Sequence, residues 1–332
     1  MTHPNPYHHS LFVLFVVSLL SVCPLLVTAQ KRTAHAKSTP ASSAATLVNG
    51  PAKLLTSDSV ELFVQVAGRG TPCVFVHGGP GAGSYPFEKL GGNQLESELR
   101  MIYFDQRGSG RSASSPRKNY AMARMVQDLE ELRKHLKLDK WVVMAHSFGG
   151  TIPTAYATKY PQRVRALVLV NSVLSPMASL ESTLRYGTTL LPQDKQPNLG
   201  APLIQRYGMM MNTLQQQKIA YQLQYSSDTL AARASRVSRA VPANSDFGTQ
   251  VFNGQLPDYG QDYVPATAKL TMPALVIMGQ DDRTTGATPE AAFRFPKQRV
   301  VVLPGKHYSF LEQPARFRQA VVSFVQQPFS KP

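Results

Sequence analysis

The chain has 332 residues, of which 43% are hydrophobic, and it carries a formal net charge of +15. It can therefore bury a sizeable core, as one large domain or two small ones. The basic residues form no run of five or more and do not alternate with aromatic residues, so we expect a solvated basic surface and no nucleic-acid partner. The two cysteines, Cys23 and Cys73, exclude a disulfide framework in the mature chain.

The N-terminal segment has the pattern of an export signal. Residues 11–27 are an apolar run, and residues 27–29 (VTA) provide a small-residue cleavage site before Gln30. We therefore predict a signal peptide over 1–29 and a secreted or periplasmic protein with no membrane span after cleavage. An uncleaved anchor is the alternative, because the run is barely long enough to cross a bilayer. Residues 30–50 are rich in Ala, Ser, Thr and Lys and predict a disordered spacer.

Strands and helices alternate along the next part of the chain, which predicts an α/β fold with a mostly parallel sheet. Residues 176–265 interrupt this alternation with Gln, Tyr, Met and Leu, and we predict a helical cap there. The α/β core is then expected over 51–175 and 266–332. The predicted strands are 60–66, 73–76, 101–104, 141–145, 166–170, 274–278 and 300–303, and the predicted helices are about 122–136 and 149–159.

One serine follows a buried strand directly. Residues 145–149 (AHSFG) join the strand at 141–145 to a helix, which is the pattern of the nucleophile elbow of an α/β-hydrolase. Small residues must flank this serine because the turn is tight, and Ala145 replaces the usual first glycine. We interpret Ser147 as the nucleophile, the alternative being a serine that only caps the helix.

Three further strand ends carry the residue types that such a hydrolase needs. Residues 77–81 (HGGPG) form a glycine-rich loop, where the N–H of Gly79, together with that of Phe148, is expected to stabilise an oxyanion. Asp281 and Asp282 follow a late strand, and His307 follows the last strand. The order Ser, Asp, His is the order in this fold.

Two motifs resemble one family in particular. Residues 77–81 and 105–112 (DQRGSGRS) are similar to those of the proline iminopeptidases, and the resemblance covers roughly 60–175 and 270–325. It implies a Ser–His–Asp hydrolase with a helical cap inserted after the sixth strand, acting on N-terminal residues of peptides or on related amides and esters. It also favours Asp282 over Asp281 as the acid, from its spacing after Gly279. Phe148 stands where well-studied members have Trp.

Four other polar residues lie in or near these motifs, and three of them, His77, Asp105 and Arg107, are expected to support the glycine-rich loop. We expect His77 to hold the glycine-rich loop. We expect His146 to point away from the side of Ser147 on which its partner, His307, lies. Asp105 and Arg107 are expected to form an ion pair beneath the loop. No cluster in the sequence has metal-ligand spacing, and we expect neither a metal nor another cofactor.

These features predict a serine hydrolase, with an aminopeptidase of proline-iminopeptidase type as the first hypothesis. An esterase or lactonase with an apolar cap pocket is the second, and a catalytically silent binding protein is the third. An aminopeptidase needs a carboxylate for the substrate ammonium group, because an unpaired buried charge is costly. Glu181 is the first choice for it, and the other candidates in the cap are Asp194, Asp228, Asp246, Asp258 and Asp262. The oligomeric state does not follow from the sequence.

Overall fold

The computed structural model describes residues 48–286 and 293–327. The predicted signal peptide and most of the predicted spacer lie outside the described residues. No helix within these two ranges is long and apolar enough to cross a membrane.

The core of the molecule is an eight-stranded sheet in the order β1-β2-β4-β3-β5-β6-β7-β8. β1 and β2 are antiparallel, β2 is antiparallel to β4, and the remaining neighbours are parallel, which confirms the predicted fold class. The strands are β1 Gly50–Leu55, β2 Glu61–Gly68, β3 Thr71–Val76, β4 Leu99–Phe104, β5 Trp141–His146, β6 Val164–Val170, β7 Ala274–Gly279 and β8 Gln298–Leu303.

Helices lie between and after these strands. The helices are α1 Tyr85–Leu90, α2 Met122–His135, α3 Thr151–Lys159, α4 Pro176–Thr189, α5 Leu203–Gln216, α6 Asp228–Ser238, α7 Asp246–Phe252, α8 Val264–Thr267, α9 Ser309–Glu312 and α10 Pro314–Val325. β1 was not predicted as a strand, because it pairs at the sheet edge, contains Pro51 and buries little surface.

Every residue of β5 is buried, as expected for the middle of a parallel sheet covered on both faces. Val143 and Ala145 join the apolar cluster on one face, whereas Val142 and Met144 join the cluster on the other. Burying one such large apolar side chain contributes roughly 1.5–3 kcal/mol. The sheet is therefore a rigid support on which the carboxyl ends of β3, β5, β7 and β8 meet at one edge.

α4 to α8 lie between β6 and β7, where the cap is predicted. Part of this insertion has a small apolar cluster of its own. Its buried members are Leu184, Leu191, Tyr207, Met210, Met211, Leu214 and Leu223. Met177 and Met209 on α4 and α5 are 46% and 44% exposed, so this insertion is less completely packed than the sheet.

Candidate active site

Ser147 lies at the sharp turn between β5 and α3, with a backbone φ of 55°. A residue other than glycine is rare in this left-handed region, and strained positions of this kind cluster at functional sites. The chain around the turn is packed closely. A Cβ atom at Gly78 would lie 2.8 Å from the Cβ of Ser147, and one at Gly149 would lie 2.5 Å from the carbonyl oxygen of His77. Glycine is therefore required by space at position 149 beside the serine, and at position 78 in the loop that faces it.

Three of the predicted site residues form one hydrogen-bonded line. His307 Nε2 lies 2.8 Å from Ser147 Oγ, and His307 Nδ1 lies 2.8 Å from Asp282 Oδ2. The three residues come from the ends of β5, β7 and β8. Asp281 is exposed to solvent, so the structure places Asp282 at the histidine.

The carboxylate of Asp282 is fixed by further donors. The backbone N–H and the hydroxyl of Thr284 donate to Oδ1 at 2.8 and 2.7 Å, and the amide of Asn171 donates to Oδ2 at 2.8 Å. Burial opposes ionisation, but His307 and the Thr284 donors outweigh it and lower the pKa of Asp282 to about 2. Asp282 therefore stays ionised throughout the neutral pH range.

His146 differs from its prediction. Its ring lies 4.9 Å from the ring of His307, and its Nε2 is 2.9 Å from the backbone carbonyl oxygen of His307. It therefore lies on the same side of Ser147 as His307. The prediction rested on the adjacency of His146 and Ser147 in the sequence, and the left-handed backbone at Ser147 changes the direction of the chain between the two side chains. Burial lowers the pKa of His146 to about 3, so the ring is neutral. Through its contact with the backbone of His307, the ring supports the loop that carries this residue.

His77 lies under the glycine-rich loop, as predicted. The backbone N–H of Gln106 donates to its Nε2 at 3.0 Å, which leaves Nδ1 to face the carbonyl oxygen of Gly78 at 3.0 Å. Burial lowers the pKa of His77, so this ring also remains neutral. The loop that carries Gly79 is thus held from β4 through a buried imidazole.

Asp105 and Arg107 do not form the predicted ion pair with each other. Asp105 accepts from Arg111 at 2.7 Å and from the backbone N–H of Ser84 at 2.7 Å, so it does hold the end of the glycine-rich loop. Arg107 is fully buried and instead pairs with Asp58 and Asp128. Through these two ion pairs Arg107 joins α2 to the turn before β2. It follows Asp105 by two residues, at a point where the chain has already moved away from the glycine-rich loop.

Gly79 and Phe148 both line a cavity of about 530 Å³ above Ser147. Phe148 begins the turn that leads into α3, and the first N–H groups of a helix have no partner inside it. The structure thus brings the two predicted oxyanion residues to the same cavity as Ser147, and their role as donors stays a prediction.

The cavity wall is mostly apolar. Among its side chains are Met177, Leu180, Ile204, Val251, Phe252 and Leu256, all supplied by the insertion between β6 and β7. Tyr207 and Tyr259 add aromatic surface, and Gln224 and Thr284 add polar atoms. No Asp or Glu lies among the described residues that line it.

Glu181 does not reach this cavity, which corrects the prediction that it binds substrate. α4 lines the cavity with Pro176, Met177, Leu180 and Thr183, whereas Glu181 is exposed to solvent. Residues that are three or four apart share a helix face, and Glu181 is one position past Leu180, about 100° around the helix. The five aspartates named as alternatives do not line the cavity either.

Sequence reasoning missed two buried residues that contact Asp282. Asn171 directly follows β6, and the strand-end position that identified the other residues would have included it. Thr284 is two residues after Asp282, the spacing at which an aspartate accepts a hydrogen bond from the backbone further along the chain. Across the described ranges, no group of His, Cys, Asp and Glu has the arrangement of a metal site.

The family model of the alpha/beta hydrolase fold matches residues 71–314, and the chain belongs to this family. Its resemblance to proline iminopeptidases is confirmed as well. It is 26% identical to the proline iminopeptidase of Saccharolobus solfataricus over 285 residues, which are 80% of this chain and 88% of that protein. It is 36% identical to the proline iminopeptidase of Arabidopsis thaliana over 143 residues, 42% of this chain. The chain spans 35% of that protein's length, and about the same share of several other curated relatives.

Solved structures of the same fold carry more than one activity in their names. A proline iminopeptidase-related protein from Thermus thermophilus superposes with a TM-score of 0.67 and 22% identity, over 83% of this chain and 96% of that one. A thermophilic esterase from Thermogutta terrifontis superposes with a TM-score of 0.61 and 24% identity, over 83% of this chain and 98% of that one. The fold is therefore shared, and the substrate has to be inferred from the cavity.

Proposed function

We propose that the protein is a serine hydrolase in which Ser147 is the nucleophile, His307 the general base and Asp282 the acid. The hydrogen-bonded line through the three side chains, with both contacts at 2.8 Å, carries this proposal. Since Asp282 is ionised and accepts from Nδ1–H, the lone pair of Nε2 faces the hydroxyl of Ser147.

Each step of the reaction then has a defined donor or acceptor. Ser147 Oγ bonds to the carbonyl carbon of the substrate, and its proton passes to His307 Nε2. The carbonyl oxygen becomes negative and accepts from the N–H groups of Gly79 and Phe148. The imidazolium returns the proton to the leaving alcohol or amine as the acyl bond breaks. Water then bonds to the acyl carbon as its proton passes to His307 Nε2, and the bond from that carbon to Ser147 Oγ breaks while His307 returns the proton to Oγ. The acid leaves and Ser147 is restored.

We propose further that the acyl group of the substrate is neutral and apolar, as in an esterase or lactonase. The apolar wall of the cavity favours such a group, because burial of apolar surface between the acyl group and the wall stabilises the enzyme–substrate complex. A substrate ammonium group would need a carboxylate partner to offset its desolvation.

A proline iminopeptidase is the second candidate, supported by the names of the relatives over most of the chain. A proline ring is also compact and apolar, and it differs from a neutral acyl group in its secondary ammonium.

Two isosteric substrates separate these candidates. The p-nitrophenyl esters of proline and of cyclopentanecarboxylic acid present the same ring with and without the amine. After division by the spontaneous hydrolysis rate of each ester, we expect kcat/KM to favour the cyclopentane ester by at least about 10-fold. Continuous release of p-nitrophenol measures both, with Ser147→Ala as the background.

A preference for the prolyl ester would instead support the aminopeptidase. The carboxylates of the chain would then be neutralised one at a time, and the one that binds the ammonium group should lose activity on the prolyl ester alone. Glu181→Gln is the control, because Glu181 is exposed and does not line the cavity. An equal loss on both esters would assign the replaced carboxylate no role in recognising the amine.

We also propose that the protein is exported, on the basis of the apolar run and the cleavage pattern before Gln30. Intact-mass measurement of the protein from its native host is expected to give a chain that begins near Gln30, in a fraction outside the cytoplasm. A soluble product that retains residues 11–27 would overturn this proposal.

A further inference from the structure

A buried asparagine lies between the two loops that carry the proposed acid and base. Asn171 directly follows β6 and exposes none of its surface. Its backbone φ is 43°, in the left-handed region that asparagine tolerates better than most residues other than glycine. Burial of its amide is therefore costly unless the side chain is fully bonded.

The amide of Asn171 bonds to both loops. Nδ2 donates to Asp282 Oδ2 at 2.8 Å and to the carbonyl oxygen of Lys306 at 3.2 Å. Oδ1 accepts from the hydroxyl of Ser309 at 2.6 Å. The amide orientation follows from the chemistry, because an ionised carboxylate only accepts and a nitrogen must face it.

These contacts span three neighbouring strands of the sheet. Asp282 follows β7, whereas Lys306 and Ser309 flank His307 after β8. The same oxygen of Asp282 that accepts from Asn171 also accepts from His307 Nδ1. The side chain at the end of β6 therefore fixes both the direction of the carboxylate and the distance between the acid and base loops.

We propose that Asn171 is a positioning residue for the reaction, and that it acts by holding Asp282 in line with His307. This inference rests on the proposed function, since the alignment affects the rate only if these two residues assist Ser147. Asn171 does not line the cavity, so it acts on turnover and leaves substrate binding unchanged.

The test is Asn171→Gly, which removes the amide and relieves the left-handed backbone. Each preparation is labelled to completion with a fluorophosphonate to count active sites, and kcat is expressed per labelled site on the cyclopentane ester. We expect kcat to fall about 10- to 100-fold, in line with a small misplacement of a catalytic group, while KM stays within about twofold. A residue that only stabilises the fold would change the fraction of labelled protein and the Tm but not kcat per site.

Ser309→Ala keeps the proposal testable if Asn171→Gly does not fold. It removes the bond that orients the amide, and we expect kcat per site to fall about 3- to 10-fold. Thr267→Val is the matched control, because Thr267 is fully buried and bonds to the backbone of Val264 and Arg294 outside the cavity. It should lower Tm with kcat per site unchanged.

The outcomes separate the two proposals. If the parent protein is neither labelled at Ser147 nor active, the proposed function fails. If the parent is labelled and active, but kcat per site in Asn171→Gly and Ser309→Ala is within twofold of the parent, only the role of Asn171 fails. A drop in Ser309→Ala that Thr267→Val reproduces would equally overturn it.

Discussion

Replacing Ser147 with alanine is expected to lower kcat by roughly 10⁴- to 10⁶-fold. The reason is the contact between Ser147 Oγ and His307 Nε2, which places the proton of the nucleophile directly on the base. Without the hydroxyl, no acyl intermediate forms, and what remains is water attack assisted by the backbone N–H groups around Gly79 and Phe148. Fluorophosphonate labelling should disappear together with turnover.

His307→Ala should cost about as much, and the double variant should be little worse than either single variant. Nucleophile and base act in the same proton transfer, so removing one leaves the other without a function. Initial rates with the cyclopentane ester for the three variants provide the measurement. Ser323→Ala, a serine on the exposed side of α10, is the control for substitution and handling. Losses that multiply in the double variant would show that the two residues act independently.

The sheet is largely predictable from the sequence because its buried strands are short apolar runs between turns. β3, β5, β6 and β7 are buried on both faces, and their composition alone marks them. β1 has no such run, since it is an edge strand whose pairing with β2 is decided by backbone bonds. Sequence patterns report burial well, and they report edge pairing poorly.

The placement of site residues follows the same division. Ser147, Asp282 and His307 could be predicted to lie close together, because each follows a strand and parallel strands end at one edge of the sheet. His146, Arg107 and Glu181 were placed wrongly because their roles depend on side-chain direction. That direction depends on a left-handed turn, on the path of the chain after Asp105 and on the rotation of α4.

The second large effect is expected at the acid. Asp282→Asn should lower kcat by about 10⁴-fold, whereas Asp281→Asn should change it by less than about threefold. Thr284 decides this result, because its backbone N–H donates to Oδ1 and requires an acceptor there. An asparagine at position 282 would keep its oxygen on that side and turn its NH₂ group toward His307 and toward the amide of Asn171.

Facing an NH₂ donor, Nδ1 of His307 must accept, so the proton of the neutral ring moves to Nε2. A protonated Nε2 cannot take the proton of Ser147, and the enzyme loses its base without losing its fold. Asp281 is exposed and contacts the site through its backbone alone, its N–H donating to the carbonyl oxygen of Gly305 at 2.9 Å. Rates of the two purified variants, with Tm values to show that both are folded, decide between the aspartates. A larger loss in Asp281→Asn would mean that the hydrogen-bonded line through Asp282 does not carry the reaction.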